Sequence, residues 1–133
     1  MNRTCDTSII VPALLSWHPD HSTCRTALQS VSKIPVHVLL ETYSVLTRLP
    51  APHRISPGDA GAVIEALPFA PVALPGSRAA TLVPWCAGLG IRGGAVYDAL
   101  IARTAAHHGL ELLTRDRRAR ATYDQVGVRY TLS

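Results

Sequence analysis

Two patterns of apolar and polar residues alternate along this chain. Short segments at residues 2–6, 112–114 and 128–132 have the length and the flanking residues of buried strands. Between them, apolar residues recur every three or four positions, which is typical of amphipathic helices. Strands that alternate with helices predict an α/β fold with three layers, in which helices cover both faces of a central, mostly parallel, twisted sheet.

Capping residues and prolines predict where the helices begin and end. Thr7 or Ser8 should cap the first helix, with Pro12 within or just after its first turn. Ser56, followed by a proline and then an acid, is a typical helix start. Pro84 should kink or split the helix that contains it. The other predicted elements are helices at residues 20–31, 36–49, 56–67, 77–89, 94–108 and 117–125, and a strand at 72–74.

Length and composition indicate one folded domain over residues 1–133. Apolar residues make up 47% of the chain and charged residues 17%, a balance that allows a large core and argues against disorder. The apolar runs are far shorter than the roughly 20 residues that span a membrane. Asp6 interrupts the apolar stretch at the start, so we read that stretch as part of the fold and expect a cytoplasmic protein. The three cysteines are widely spaced in apolar surroundings and are expected to be buried thiols.

Two acidic residues interrupt the apolar sides of predicted helices. Glu41, in the segment VLLETYSVL, lies on the helix side that carries Val38 and Val45. Asp98, in VYDALIARTA, shares its side with Ile101 and two alanines. An unpaired charge in such surroundings costs several kcal/mol or shifts its pKa. Each carboxylate therefore needs a compensating partner or a position at the border with solvent.

Two further acids lie at the ends of predicted strands: Asp6 closes the strand at residues 2–6, and Asp116 follows the strand at residues 112–114 after one intervening residue. The carboxyl ends of parallel strands meet at one edge of a sheet, where folds of this class place their sites. Asp98, in the first turns of its helix, can reach the same edge, and Glu41 can reach it if its helix packs suitably. Four converging carboxylates repel one another, and a hard divalent cation such as Mg²⁺ or Mn²⁺ removes that conflict.

Each acid also has a simpler interpretation when it is taken alone. Glu41 could be a solvated residue at a helix edge or the partner of an arginine. Asp6 could be a turn residue, and Asp116 could cap a helix. The metal-site hypothesis therefore depends on all four acids together, in their order and contexts.

The distribution of charge favours an anionic partner. Thirteen basic residues, twelve of them arginine, oppose nine acidic ones, so only five acids remain outside the four discussed above. A surface this positive suits a phosphate backbone. The best candidates for phosphate contact lie beside Asp116: Arg115, Arg117, Arg118 and Arg120. Arg92, in the loop before Asp98, is a weaker candidate. For any single arginine, a solvated helix face is the simpler reading.

Four segments in order along the chain resemble the motifs of a known family. They are CDTSIIVPALL, LLETYSVLTRLP, GGAVYDALIARTAAHHG and LLTRDRRA. Together they resemble PIN-domain nucleases, and most of all the toxin ribonucleases of VapBC toxin–antitoxin pairs. The resemblance covers nearly the whole chain in the family's order, and it is therefore more specific than any single motif.

The resemblance implies a set of functional residues. Asp6, Glu41, Asp98 and Asp116 fall on the family's acidic quartet, which holds Mg²⁺ or Mn²⁺. The polar residues Ser8 and Thr114 match positions that support the geometry of the site. Many family members carry another acid two residues after the fourth, where this chain has Arg118. This departure leaves a second metal position open.

The resemblance also implies an activity and partners. It predicts an endoribonuclease that hydrolyses RNA phosphodiester bonds to leave a 5′ phosphate and a 3′ hydroxyl. A small VapB-type antitoxin is expected to block the site, and the toxin is expected to form a homodimer. The RNA target is not readable from the sequence.

Two other functions are compatible with an acidic edge on an α/β fold. A PIN-like module could bind RNA or a protein without cutting, and Arg118 keeps this alternative open. A receiver domain in signalling is less favoured, because it usually pairs two acids after the first strand. Here Cys5, and not a second acid, precedes Asp6. A receiver also usually has a lysine near its site, whereas Lys33, the only lysine of this chain, lies outside the region of the predicted site.

Overall fold

The protein is described from a computed structural model that covers residues 2–133. Within these residues the strands are β1 (Arg3–Cys5), β2 (Lys33–Pro35), β3 (Ala70–Val72), β4 (Glu111–Thr114) and β5 (Tyr130–Leu132). The helices are α1 (Thr7–Leu14), α2 (His21–Leu28), α3 (Val36–Thr47), α4 (Pro57–Glu65), α5 (Gly76–Ala79), α6 (Leu82–Leu89), α7 (Ala95–His107) and α8 (Arg120–Val126). A short 3₁₀ turn at Arg117–Ala119 precedes α8.

The strands pair in parallel, as the alternation of strands and helices predicts. β4 lies between β1 and β5 in a three-stranded sheet, and β2 pairs with β3 in a two-stranded one. A bridge between Arg3 and Val31 and a hydrogen bond from the Ser32 N–H to the Arg3 carbonyl (3.1 Å) set the two sheets side by side. The carboxyl ends of β1 and β4 therefore lie next to each other, which brings the residues that follow them together.

Helices cover both faces of the sheet. Successive residues of a strand point to opposite faces, and in β1 both Thr4 and Cys5 are inaccessible to solvent. The same holds for Leu112 and Leu113 in β4, which are both buried. A sheet that buries both faces needs a helical layer on each, so the predicted three-layer α/β fold is confirmed.

The start of α1 differs from the prediction. Asp6, rather than Thr7 or Ser8, is the N-cap, and its side chain accepts a hydrogen bond from the Ser8 N–H. An aspartate that ends a strand has extended backbone, which is the conformation that an N-cap requires. Ser56 does cap α4, as predicted.

The strands at one side of the fold were the least predictable. The apolar pattern predicts no strand at β2, where the alternation of polar and apolar residues is too short to be read. β3 covers Ala70–Val72 and not residues 72–74, because pairing with β2 aligns Lys33 with Ala70. At a sheet edge, backbone pairing rather than hydrophobicity decides where a strand lies.

The predicted helix at residues 77–89 is split, as Pro84 suggests. Two helices, α5 and α6, replace it, and they are separated at Ala80 and Thr81. Pro84 is the third residue of α6, where a backbone N–H has no partner within the helix. The proline is therefore tolerated only because a new helix begins just before it.

Two expectations drawn from composition can be compared with the structure. Cys5, Cys24 and Cys86 are free, buried thiols, as predicted. In the part of the chain that the structure describes, each helix is too short or too polar to cross a bilayer.

The core predicts a clear difference between two leucine substitutions. Leu112→Ala removes a fully buried side chain from the central strand and is expected to lower the free energy of unfolding by about 2–5 kcal/mol. Leu40→Ala, at a side chain that is 65% exposed, is expected to change it by less than about 0.5 kcal/mol. Urea denaturation followed by circular dichroism measures both, and equal losses would contradict this description of the core.

Candidate active site

We call the region that contains Asp6, Glu41, Asp98 and Asp116 the acidic edge. Asp6 is the most buried of these four acids. It follows β1, and its backbone N–H donates to the carbonyl of Leu113 at 3.2 Å. Its side chain is 4% exposed, and Oδ1 accepts hydrogen bonds from the Ser8 N–H (3.0 Å) and from Ser8 Oγ (2.5 Å). Thr114 Oγ1 (2.5 Å) and Tyr123 OH (2.7 Å) donate to Oδ2. Four donors from three parts of the chain therefore fix both carboxylate oxygens.

Opposing effects act on the pKa of Asp6. Burial raises it, whereas the hydrogen bonds from Ser8, Thr114 and Tyr123 lower it, and the net result is a raised pKa. Hydrogen bonds to the charged form favour that form, so the four donors retain a carboxylate that burial alone would drive toward protonation. The phenol of Tyr123 is affected in turn, since burial and the charge of Asp6 raise its pKa.

Ser8 and Thr114 connect the two strand ends around Asp6. The Arg115 N–H donates to Ser8 Oγ (2.7 Å), and the Asp116 N–H donates to Thr114 Oγ1 (3.0 Å). Both hydroxyls thus hold Asp6 and also hold the backbone that carries Asp116. That these two residues support a metal site stays a prediction.

Glu41 lies at the border of the core on α3 and lacks a full set of partners. Its Oε1 atom is buried without a hydrogen bond, and His37 Nε2, 3.6 Å away, is likewise unpaired. Burial and the charge of Asp6 raise the pKa of Glu41, while Arg48 lowers it. An orphaned carboxylate oxygen is unusual in a core, and it is what a carboxylate awaiting a cation presents.

The charges of the other three acids affect the pKa of Asp98. It lies in the first turn of α7, half-buried, with Ile101 fully buried on the same side of the helix. Burial raises the pKa of Asp98 to about 6, and the charges of Asp116, Asp6 and Glu41 raise it as well. The charges of the four predicted acids therefore act on one another, so the acids share one region of the protein.

Asp116 is the most open of the four acids. It caps the 3₁₀ turn, where its Oδ1 accepts a hydrogen bond from the Arg118 N–H at 3.0 Å. The Arg118 side chain also lies near it, with Nε 3.5 Å from Oδ1. The capping interpretation of Asp116 is therefore correct, and it leaves Oδ2 available for another partner.

The side chains of the acidic edge are of the chemical type that binds a divalent cation, but they lie too far apart to hold one. Its donors are all carboxylate oxygens, which suit Mg²⁺ or Mn²⁺, and Glu41 Oε1 has no partner. Among residues 2–133, however, no three His, Cys, Asp or Glu side chains are close enough together to hold a metal ion. Like charges separate unless a cation lies between them, so holding an ion requires the carboxylates to approach each other.

The arginines predicted to contact phosphate differ in their ion pairs and in their exposure to solvent. Arg115 is tied to Asp20 (3.4 Å) and is partly buried. Arg118 is 94% exposed despite its contact with Asp116. The remaining three are exposed, in the 3₁₀ turn, at the start of α8 and in the loop before α7: Arg117, Arg120 and Arg92.

Two residues at this edge were not identified from the sequence. No sequence motif distinguishes Tyr123 from the other tyrosines, yet its hydroxyl donates to Asp6. A fully buried tyrosine needs a hydrogen-bond acceptor, and that rule was the available signal. His37 lies four residues before Glu41, the spacing at which helix side chains meet, and it stacks on Tyr97 with ring centroids 5.2 Å apart.

Comparisons with known proteins identify the family. The PIN domain family matches residues 4–125, and the chain belongs to this family. Ribonuclease VapC27 of Mycobacterium tuberculosis (strain ATCC 25618 / H37Rv) is 42% identical over 124 residues, which cover 92% of this chain and 90% of that protein. Ribonuclease VapC40 of Mycobacterium tuberculosis (strain CDC 1551 / Oshkosh) is 40% identical over 128 residues, 96% of each. Within the family, these relatives identify the chain as a VapC-type toxin.

Solved structures agree with this fold. FitAcB from Neisseria gonorrhoeae superposes with a TM-score of 0.62 at 18% sequence identity, over 98% of this chain and 96% of that one. FitAB bound to an IR36 DNA fragment gives 0.65 at 17% identity, over 99% and 94%. At such identities the likeness concerns the fold alone. The family match leaves the receiver alternative without support.

The raised pKa of Asp98 predicts how stability depends on pH. Between pH 3.8, the ordinary pKa of an aspartate, and pH about 6, the folded metal-free protein binds more protons than the unfolded chain, so stability falls as pH rises. Asp98→Asn removes this contribution. The difference in unfolding free energy, variant minus parent, should therefore increase by about 1 kcal/mol between pH 4 and pH 7. Two pKa units correspond to roughly 3 kcal/mol, and partial exposure to solvent reduces this.

Urea denaturation in EDTA across this pH range measures the effect. Asp59→Asn is the matched control, because Asp59 is an exposed acid in the first turn of α4. A difference between Asp98→Asn and the parent that stays constant with pH would contradict the repulsion described here.

Proposed function

We propose that the chain is a metal-dependent endoribonuclease toxin, a single PIN domain over residues 1–133 that acts in the cytoplasm. Mg²⁺ or Mn²⁺, held by Asp6, Glu41, Asp98 and Asp116, assists hydrolysis of RNA phosphodiester bonds. One observation carries the proposal: burial, together with the charges of three other carboxylates, raises the pKa of Asp98 to about 6. A carboxylate kept in such surroundings is costly to a fold and is typical of sites that bind a cation or move protons.

The chain's own residues have distinct roles in this proposal. Asp6, oriented by Ser8, Thr114 and Tyr123, presents a fixed carboxylate. Glu41 contributes an oxygen that accepts no hydrogen bond and lies 3.6 Å from His37 Nε2. When bound, the cation supplies Lewis acidity, which lowers the pKa of water and offsets the charge of the phosphate. No covalent nucleophile is required.

Charge distribution and relatives support RNA as the substrate. Both M. tuberculosis relatives are named ribonucleases. Exposed arginines lie close in sequence to two of the four acids: Arg92 in the loop before Asp98, and Arg117, Arg118 and Arg120 after Asp116. Guanidinium groups bind phosphate oxygens in pairs, so these side chains suit a backbone drawn across the carboxylates.

Partners follow from the same family membership. A cognate VapB-type antitoxin covers the acidic edge and neutralises the toxin, and the toxin forms a homodimer. Large exposed apolar side chains support such contacts, because Leu40, Val83 and Tyr97 are each more than half exposed.

A non-catalytic module that binds RNA or a partner is the second candidate. It is favoured by the absence, among the described residues, of three acids close enough to hold a metal ion, and by Arg118 in place of a further acid. The two candidates differ in one observable, which is metal-dependent cleavage.

Metal binding and cleavage are expected to fail together in two variants. Mn²⁺ titrated calorimetrically into antitoxin-free protein should bind the parent, and binding should be lost in Asp6→Asn and Asp98→Asn. Cleavage of RNA by the same variants should fall at least about 100-fold, since positioning and charge stabilisation are both removed.

The control for these variants is Glu65→Gln, an exposed acid at the end of α4, which should bind Mn²⁺ and cleave like the parent. A folded parent that binds no Mn²⁺ would overturn the metal site. Binding of RNA without any cleavage in Mn²⁺ would favour the non-catalytic module instead.

Arg118 is expected to contact phosphate. In EDTA, Arg118→Gln should weaken binding of a fluorescein-labelled single-stranded RNA and reduce the slope of log affinity against log salt by about 0.7. Anisotropy titrations at several salt concentrations measure this. Arg25→Gln, at an exposed arginine on α2, should leave the slope unchanged. Equal slopes for the parent and Arg118→Gln would show that Arg118 is only solvated.

A further inference from the structure

A basic cavity lies away from the acidic edge, between α5, α6, α7 and the end of α8. We propose that this cavity, which we call the Trp85 cavity, binds a nucleotide, either free or as one unit of an RNA strand. Its guanidinium groups hold the phosphate, and the base stacks on the Arg103 guanidinium plane where that group lies over the indole ring of Trp85. The cavity has a volume of about 540 Å³ and is lined chiefly by Leu74, Arg78, Trp85, Arg103, His107 and Val126. The proposal does not depend on phosphodiester hydrolysis.

The charge of the Trp85 cavity favours an anion. Arg78 and Arg103 line it together with His107, and no acidic residue lines it. Among residues 2–133, neither arginine forms an ion pair with a carboxylate. Two unpaired guanidinium groups facing one cavity repel each other, and an anion between them removes that repulsion. Arginine also matches phosphate geometry, because its planar group donates two parallel hydrogen bonds.

Trp85 gives the cavity a rigid aromatic wall. The guanidinium carbon of Arg103 lies 4.7 Å from the centre of the indole ring, an arrangement typical of a cation–π contact. The indole packs against a buried cluster that includes Leu82, Cys86 and Ala99, so its orientation is fixed before any ligand arrives. Bases stack readily on aromatic rings and on arginine planes, and this cavity offers both together.

Hydrogen bonds hold the walls of the cavity in place. His108 Nε2 lies 2.9 Å from the carbonyl of Ala73, which fixes the chain before α5 to the end of α7. Gln125 Nε2 donates to the carbonyl of Leu89 at 3.3 Å and ties α8 to α6. The volume is thus largely preformed and lies within the range of about 300–1,000 Å³ that is usual for small-ligand sites.

Position on α7 separates the Trp85 cavity from the acidic edge. Arg103 and His107 follow Asp98 by five and nine residues, which is roughly 7 Å and 13 Å along the helix axis. The cavity lies toward the carboxyl end of α7, whose dipole contributes about half a negative charge. The two guanidinium groups outweigh this, so the net field in the cavity still attracts an anion.

The indole favours a nucleotide over other anions. An acidic peptide or inorganic phosphate would use the arginines but would leave the aromatic wall and the apolar side chains of Leu74 and Val126 without a partner. A nucleotide uses both, because it joins a phosphate to a planar base. Binding by the nucleotide should therefore exceed binding by phosphate alone.

The test uses the full chain in EDTA, so that metal-dependent cleavage cannot interfere. In a Trp17→Phe background Trp85 is the only tryptophan, and its emission is followed as AMP or a mixed-sequence RNA tetranucleotide is added. At least one of the two should bind at least tenfold more tightly than inorganic phosphate. Arg78→Gln and Arg103→Gln should each weaken binding about tenfold. Arg25→Gln, which removes the same charge on α2, should change it less than twofold.

Arg103→Gln alters the surroundings of Trp85 directly, so its affinity is also measured by anisotropy with fluorescein-labelled AMP or RNA. Arg78→Gln leaves the contact between Arg103 and the indole intact and keeps the test valid if Arg103→Gln folds poorly. Binding of AMP indicates a free nucleotide as ligand, and binding of the RNA alone indicates a subsite for a strand. The proposal is overturned if neither probe binds at millimolar concentration, if oligoglutamate binds as tightly, or if the three arginine variants behave alike. Loss of cleavage has no bearing on these outcomes.

Discussion

The burial of one carboxylate, that of Asp6, is the constraint on which the arrangement of this protein depends. A charge in the interior costs several kcal/mol unless hydrogen bonds compensate it. Here the compensation comes from the start of α1, the end of β4 and the middle of α8, through Ser8, Thr114 and Tyr123. Because these donors must all reach the same two oxygens, the carboxylate determines where β1 ends and how α8 packs against the sheet.

The same arrangement leaves the fold with an electrostatic conflict that packing does not relieve. Glu41 retains a buried oxygen without a partner, and Asp98 has a pKa of about 6 next to three other acids. A chain selected for stability alone would replace such a group with an amide or an apolar residue. Proteins keep unfavourable charges of this kind where a ligand or a reaction uses them, which is why the acidic edge is more informative about function than the better-packed core.

The acidic edge was predictable from the sequence to the extent that it follows from topology. Asp6 comes directly after β1 and Asp116 comes two residues after the end of β4. Parallel strands end at one edge, so the alternation of strands and helices was enough to predict that these two acids lie near each other. The role of Tyr123 was not predictable, because it depends on how a helix at the end of the chain rotates against the sheet. The two-stranded pairing of β2 with β3 also lay beyond reach, since three-residue strands are fixed by long-range hydrogen bonds that leave almost no local pattern.

The distance in sequence between the partners of Asp6 has a consequence for the life of the chain in the cell. Thr114 and Tyr123 follow Asp6 by 108 and 117 residues. Contacts this remote form late, after loop closure has brought both ends of the chain together. During synthesis, Asp6 and Ser8 emerge from the ribosome long before the hydroxyl groups of Thr114 and Tyr123. A nascent or truncated chain that lacks α8 therefore holds Asp6 with an incomplete set of hydrogen bonds, and the full set forms only after α8 has been synthesised.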